Sequence, residues 1–345
     1  MTAAWFGERG SARDWADQTL LPNTRVGSVL WSAVGVAGFA LVSTLPLATY
    51  IVLLALFGLA HILTELRYVD GRFSTRLGSR TLATILTLVG AIAVVRSAVI
   101  GGVVPTAFGV ASEIAIGACL AGIAAAVSPS RPFAIGALVL LFTALAITSP
   151  LHALMTMALL HNLTPLGFFA EALPQREARS VIGALAIPFL IIPLIIATGL
   201  PREALAGALA LAPTWSPFAV GPPAKHFSAF LYPELIGSKW ALDAFAAAVF
   251  AQIMHYLAVI VVLPRVAKAR QLTGETIVPW PRGLMLLAAI ASLCALFLLS
   301  FIFDYGQAKA IYSTFAAIHA WIEVPILLIA LGGGISLAAA KSARG

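Results

Sequence analysis

Apolar residues run along this chain in long unbroken stretches, without the one-sided or alternating polarity of a water-soluble fold. The stretches fall at about 26–44, 46–66, 80–100, 108–127, 132–149, 150–171, 180–200, 240–263, 283–303 and 309–338. Roughly 20 predominantly apolar residues suffice for one helical crossing of a bilayer. Strands of a membrane barrel instead alternate in polarity over about ten residues. The pattern therefore predicts an all-α, polytopic transmembrane helical bundle of about ten helices. Several stretches are separated only by short proline-containing turns at Pro46, Pro129 and Pro150. The last run is longer than a bilayer requires, so it is expected to tilt, to kink near Pro325, or to emerge.

The polar segment at 1–25 reads as a cytoplasmic N-terminal segment with no signal-peptide pattern. Residues 26–340 read as a single transmembrane helical domain. Within it, 201–239 is expected to form an external loop or cap. A short interfacial helix over Arg202–Ala212 would be followed by an irregular stretch rich in proline (Pro213, Pro217, Pro222, Pro223).

Composition agrees with lipid as the solvent. The chain is 61% hydrophobic and 10% charged, against about 45–50% and 25% in soluble domains. Cys119 and Cys294 are far apart and form no metal or redox pair by spacing. The net charge of +7 is expected to mark cytoplasmic loops, with no nucleic-acid partner. With ten crossings and the N-terminus inside, sixteen of the 21 Lys and Arg residues fall on the inner side. Arg96, Arg202, Lys225, Lys239 and Lys309 fall outside. That bias follows the positive-inside rule, so both termini are expected in the cytoplasm and, in a bacterium, the protein in the inner membrane. The charged stretch Leu66–Arg76 reads as an inner loop at the interface, and Glu171 with Arg176 and Arg179 as another.

Ionisable side chains inside membrane spans are costly and point to function. His61, His161, His255 and His319 lie within expected spans, on four helices running in the same direction at overlapping depth. Two share a spacing: His61 with Glu65 (HILTE) and His319 with Glu323 (HAWIE). Residues four apart share a helix face, so each carboxylate can join its imidazole at a metal or orient it. Hydrogen bonding between helices is the plainer alternative. A histidine cluster with carboxylates suits non-haem iron, and other transition metals are compatible. His152 lies nine residues before His161, on the opposite face, and should not share its site. Gln252, three residues before His255, is a candidate supporting donor.

These residues support an expectation of a membrane-embedded, metal-dependent oxidoreductase or oxygenase acting on a lipophilic isoprenoid, carotenoid or fatty-acyl substrate. His61, His161, His255 and His319 would hold iron, and Glu65 and Glu323 would be ligands or bases. One alternative is a haem- or chlorophyll-binding subunit for electron transfer or light harvesting, with His161 and His255 as axial ligands. A second is a proton-coupled transporter relaying protons through His61, Glu65 and Glu323. A subunit of a larger membrane complex is a third. The paired motifs HILTE and HAWIE in a polytopic bundle resemble the Brp/Blh family of membrane-embedded, iron-dependent enzymes that cleave β-carotene to retinal. That resemblance implies iron ligation by His61 and His319.

Overall fold

A computed structural model of the chain describes residues 20–74, 77–127, 132–209, 211–218, 220–270 and 274–331. Among the described residues all regular structure is helical. Eight helices are long and apolar enough to cross a membrane. They are α1 (Arg25–Thr44), α2 (Pro46–Phe73), α3 (Ser79–Ile100), α4 (Thr106–Val127), α8 (Gln175–Ala197), α10 (Ala241–Lys268), α11 (Leu284–Phe303) and α12 (Tyr305–Leu331). Between α4 and α8 lie α5 (Pro132–Thr148), α6 (Pro150–His161) and α7 (Thr164–Ala172). The last two form a ninth candidate span bent by 47°. The 132–149 run forms the 17-residue α5, at the lower end of the lengths that cross a bilayer. The amino-terminal segment before residue 20 and the run beyond residue 331 lie outside the described residues.

Local sequence explains where the helices start and break. Thr24 caps α1 by accepting from Gly27 N at 3.1 Å, and Pro46 opens α2, where a missing N–H costs nothing. Asp304 splits the final apolar sequence into α11 and α12, accepting from Gln307 N at 3.0 Å. Two π-turns, Ile187–Ile191 in α8 and Leu257–Val262 in α10, lie beside Pro188, Pro193 and Pro264, which remove backbone donors. α12, by contrast, stays helical through Pro325.

Burial sorts the helices into a core and a surrounding ring. In α10, 89% of the apolar window is buried, and in α2 and α12 67% and 61%, whereas in α11 it is 6%. α2 packs against both α10 and α12, with α7 against α12. Small residues permit close approach: a Cβ on Gly58 of α2 would meet the Tyr312 ring at 2.8 Å.

Two expectations about charged segments are corrected. Leu66–Phe73 of the Leu66–Arg76 stretch is not a loop, since α2 continues to Phe73, and residues 75 and 76 lie outside the described residues. Asp70 of this stretch accepts from the backbone N–H groups of Ile277 and Val278 and from Trp280 Nε1. Glu171 is not a solvated loop residue. It lies in α7 and is paired with Arg72 at 2.5 Å, and both side chains are largely buried. Each burial is tolerated because the charge has a partner. A short helix, α9 (Leu200–Leu209), stands where Arg202–Ala212 is expected to be helical, anchored by Arg202, which donates to Asp243 at 2.6 Å.

Candidate metal centre

The four histidines expected in separate spans meet. His61 comes from the middle of α2, His161 from the last residue of α6, His255 from the turn of α10 just before its π-turn, and His319 from α12. Their ring centroids lie 4.5–6.4 Å apart in the contacting pairs. His61, Glu65, His255, His319 and Glu323 are 2% exposed or less. Two overlapping groups, His61–Glu65–His161–His255 and His161–His319–Glu323, have ligand atoms within 4.8 Å of one another.

The hydrogen bonds determine which nitrogens face the centre. Nδ1 of His61 donates to the carbonyl of Phe57 at 3.4 Å, and Nδ1 of His319 to that of Phe315 at 3.2 Å. Each carbonyl is one turn back on the same helix. Nδ1 of His161 lies 2.9 Å from Glu323 Oε2, the arrangement in which a carboxylate orients a metal-binding imidazole. A neutral imidazole has one N–H and one lone pair, so His61 and His319, whose Nδ1 atoms donate to their own backbones, are each left with a bare Nε2, while His161 Nδ1 has no aligned hydrogen bond. The Nε2 atoms converge: His319 Nε2 is 3.2 Å from His61 Nε2 and 3.0 Å from His161 Nε2. The lone pairs of His61 and His319 face each other and repel unless a cation lies between them. Nitrogens about 2.1 Å from a shared ion stand roughly 3.0–3.4 Å apart in octahedral or tetrahedral geometry, which matches these separations.

The remaining polar atoms point the same way. Both nitrogens of His255, both oxygens of Glu65 and Oε1 of Glu323 are buried without an aligned hydrogen bond. His255 Nε2 approaches Glu65 Oε2 at 3.4 Å. Burying a carboxylate among neutral imidazoles costs several kcal/mol, and a bound cation offsets that cost. The residues present therefore fit a transition-metal ion held by histidine nitrogen with carboxylates beside it.

The paired motifs are used in a way their spacing does not suggest. Each carboxylate pairs across to a histidine on another helix, Glu65 with His255 and Glu323 with His161, while the histidine four residues before it bonds to its own backbone. Pro165 explains part of this. It has no N–H to offer the carbonyl of His161, and the Thr164 hydroxyl lies 2.8 Å from that carbonyl and 3.1 Å from Glu323 Oε2. The break between α6 and α7 thus places His161 and fixes its carboxylate.

The sequence marks Thr164 as a polar neighbour of His161 and Tyr256 as a neighbour of His255, but shows neither the contact of Thr164 with Glu323 nor that of Tyr256 with His61. Tyr256 stacks on His61 with centroids 4.4 Å apart. Gln252, expected to support His255, donates instead to the Tyr256 hydroxyl at 2.8 Å. His152 stands apart from the cluster as expected, contacting Ser149 and donating to Glu234 at 3.1 Å. His226 also stands apart, donating from Nε2 to Val220 O at 3.1 Å and accepting from the Tyr305 hydroxyl at 3.2 Å. Burial and the nearby Lys309 and Lys225 ammonium groups push the His226 imidazole down to about 4.

A cavity of about 390 Å³ reaches from His61, His161, His255 and His319 toward the 201–239 segment, where Ser228 and Phe230 line its far end. Leu54, Leu151, Leu154 and Met155 give it apolar walls. In its wall Arg96 makes a two-pronged pair with Glu113, both contacts 2.8 Å, and Trp321 Nε1 donates to Glu113 at 2.9 Å. No family model matches the chain, and no curated protein or solved structure matches it.

Proposed function

We propose that this chain is an integral membrane, metal-dependent oxidoreductase that binds one iron ion through His61, His161 and His319, with His255 and Glu65 beside it, and oxidises a lipophilic substrate held in the adjoining cavity. The observation that carries this reading is the meeting of the bare Nε2 atoms of His61 and His319 at 3.2 Å, with His161 Nε2 3.0 Å from that of His319. A ferrous ion in such a set, with open coordination positions, supplies the activation of molecular oxygen. The chain's own residues do the rest. Glu323 holds His161 in register, Tyr256 packs one face of His61, and the apolar walls exclude water and accept an isoprenoid, carotenoid or fatty-acyl chain. The tight packing of the rings favours an ion over a haem or chlorophyll, which needs an open face beside its axial histidine. The likeness to the Brp/Blh enzymes belongs to this reading, with His61 and His319 as the shared ligands.

On the same reading α5 supplies a tenth crossing and both termini face the cytoplasm. The sparse basic residues support that orientation: Arg96 reaches Ser313 O and Lys309 reaches Lys225 O at the end that carries the 201–239 segment. The test is aerobic incubation of purified, iron-loaded protein with carotenoid, isoprenoid and fatty-acyl substrates under labelled oxygen. Label in the product and its loss in His319→Ala are expected; turnover that persists in metal-free protein would overturn the proposal. A proton-coupled transporter draws on one observation, the broken α6–α7 pair beside His161, since discontinuous helices form transport sites. Uptake into proteoliposomes driven by a pH gradient would decide for it.

A further inference from the structure

The cavity beside the histidines has a cation at its other end. Lys309, in the first turns of α12, lines the same cavity as His61 and His319. Four other basic side chains in the fold have carboxylate partners: Arg72 with Glu171, Arg96 with Glu113, Arg202 with Asp243 and Arg270 with Glu177. Lys309 has none among the described residues. Its ammonium donates to one backbone carbonyl, Lys225 O at 3.2 Å, and lies 5.7 Å over the Tyr50 ring. An ammonium carries three donors, so two remain to be used. Lys309 is half-buried, and Lys225 in the neighbouring segment adds positive charge.

We propose that Lys309 is the head-group anchor of the cavity and that the molecule bound there is a single-chain amphiphile with an oxyanion at one end. The inference rests on the oxidoreductase reading for the fate of the chain, but not for its binding. The geometry sets a ruler. Lys309 and His319 are ten residues apart on one helix, about 15 Å along its axis. A molecule whose carboxylate or phosphate sits on Lys309 lays its hydrocarbon along Leu54, Leu154 and Met155 and brings carbons about a dozen bonds from the head group to the histidines. Arg96 does not compete for the anion, because Glu113 occupies it from both sides of the guanidinium fork. Lys309 is thus a specificity-determining residue that selects an acid over the corresponding neutral lipid and fixes which part of the chain meets the metal. Two sources share this chemistry, a free fatty acid and a lipid phosphate.

The full-length protein, in nanodiscs of neutral phosphatidylcholine, is titrated with dodecanoate, dodecyl phosphate and 1-dodecanol in competition with a fluorescent fatty-acid analogue. The titrations are run both metal-free and iron-loaded. At least one anion should bind roughly tenfold or more tightly than the alcohol, the size of a charge-assisted hydrogen bond. Lys309→Gln should remove that preference while leaving the affinity for dodecanol unchanged, and Lys309→Arg should keep it. Unchanged dodecanol binding shows that the Gln variant retains its cavity. Tighter binding of dodecanoate than of dodecyl phosphate assigns the head group to a fatty acid, and the reverse to a lipid phosphate. Dodecanol binding as tight as both anions, or an anion preference that survives Lys309→Gln, would overturn the proposal. A preference seen in metal-free protein stands even if no metal is found, so the two readings fail separately.

Discussion

Glu323 and Thr164 hold His161 with its Nε2 aimed at the centre, whereas His61 and His319 are oriented by their own backbones. The two kinds of support should respond differently to mutation. Glu323→Gln keeps the shape but weakens the acceptor that fixes the His161 tautomer, and is expected to lower metal affinity by about 10–100-fold. His161→Ala should abolish stoichiometric binding. Competition with a chromophoric chelator measures both. His226 gives a second prediction, away from the site. Its protonation is disfavoured in the folded state because the imidazole is buried, Lys309 and Lys225 stand near it, and its Nδ1 must accept from Tyr305. Above its ordinary value of 6.5 no stability is lost, and as the pH falls from 6.5 toward about 4 the native state is progressively penalised. Limited proteolysis of the 201–239 segment should therefore accelerate over that window in the native protein and stay flat in His226→Gln. At this scale the four histidines were legible in the sequence because an ionisable group in an apolar run is expensive. The partners of Glu65 and Glu323 were not, because a four-residue spacing records who shares a helix face and says nothing of the facing helix.

α12 carries His319 and Glu323 and is seated through Trp321, whose ring lies against Gly117 of α4. A Cβ at Gly117 would come within 2.1 Å of that ring, and the rigid indole, bonded to Glu113, cannot turn aside. Gly117→Ala is therefore expected to cost about 1–3 kcal/mol by overpacking. It should also displace α12 enough to reduce metal occupancy. Adding Trp321→Phe removes the offending atoms and should restore part of the thermal midpoint, which a melting curve in detergent would show. The positions of most helices were readable from apolar run length. The break between α6 and α7 was not, because 150–171 reads as one uniform span. Pro165 marks a freed carbonyl one turn earlier, but it does not show that the helix bends there or that the hydroxyl of Thr164 stands beside that carbonyl. The continuation of α2 through Leu66–Phe73 was hidden for a similar reason. Its charges find partners in Glu171 and in the backbone at Ile277 and Val278, far away in sequence.

The bundle as a whole surrounds its polar centre with the three most buried helices, α2, α10 and α12, and leaves α11 and the other long apolar helices on the outside. On the proposed reading, a metal at this centre ties those helices together. A ligand that binds only the folded state stabilises it by about 4 kcal/mol when present at a thousand times its Kd, so stripping the metal with a chelator should lower the thermal midpoint and re-addition should restore it. The apolar class of the protein could be read from composition alone. Convergence of the four rings could not, since it depends on how helices separated by about a hundred residues pack. The most direct test of the account is the metal content of the purified protein, measured by elemental analysis on native chain and on His61→Ala, His161→Ala and His319→Ala. One iron per native chain, lost in each variant while the helical content is retained, is the predicted result. Folded native protein that takes up no metal when offered it, or metal that stays bound in all three variants, would contradict it.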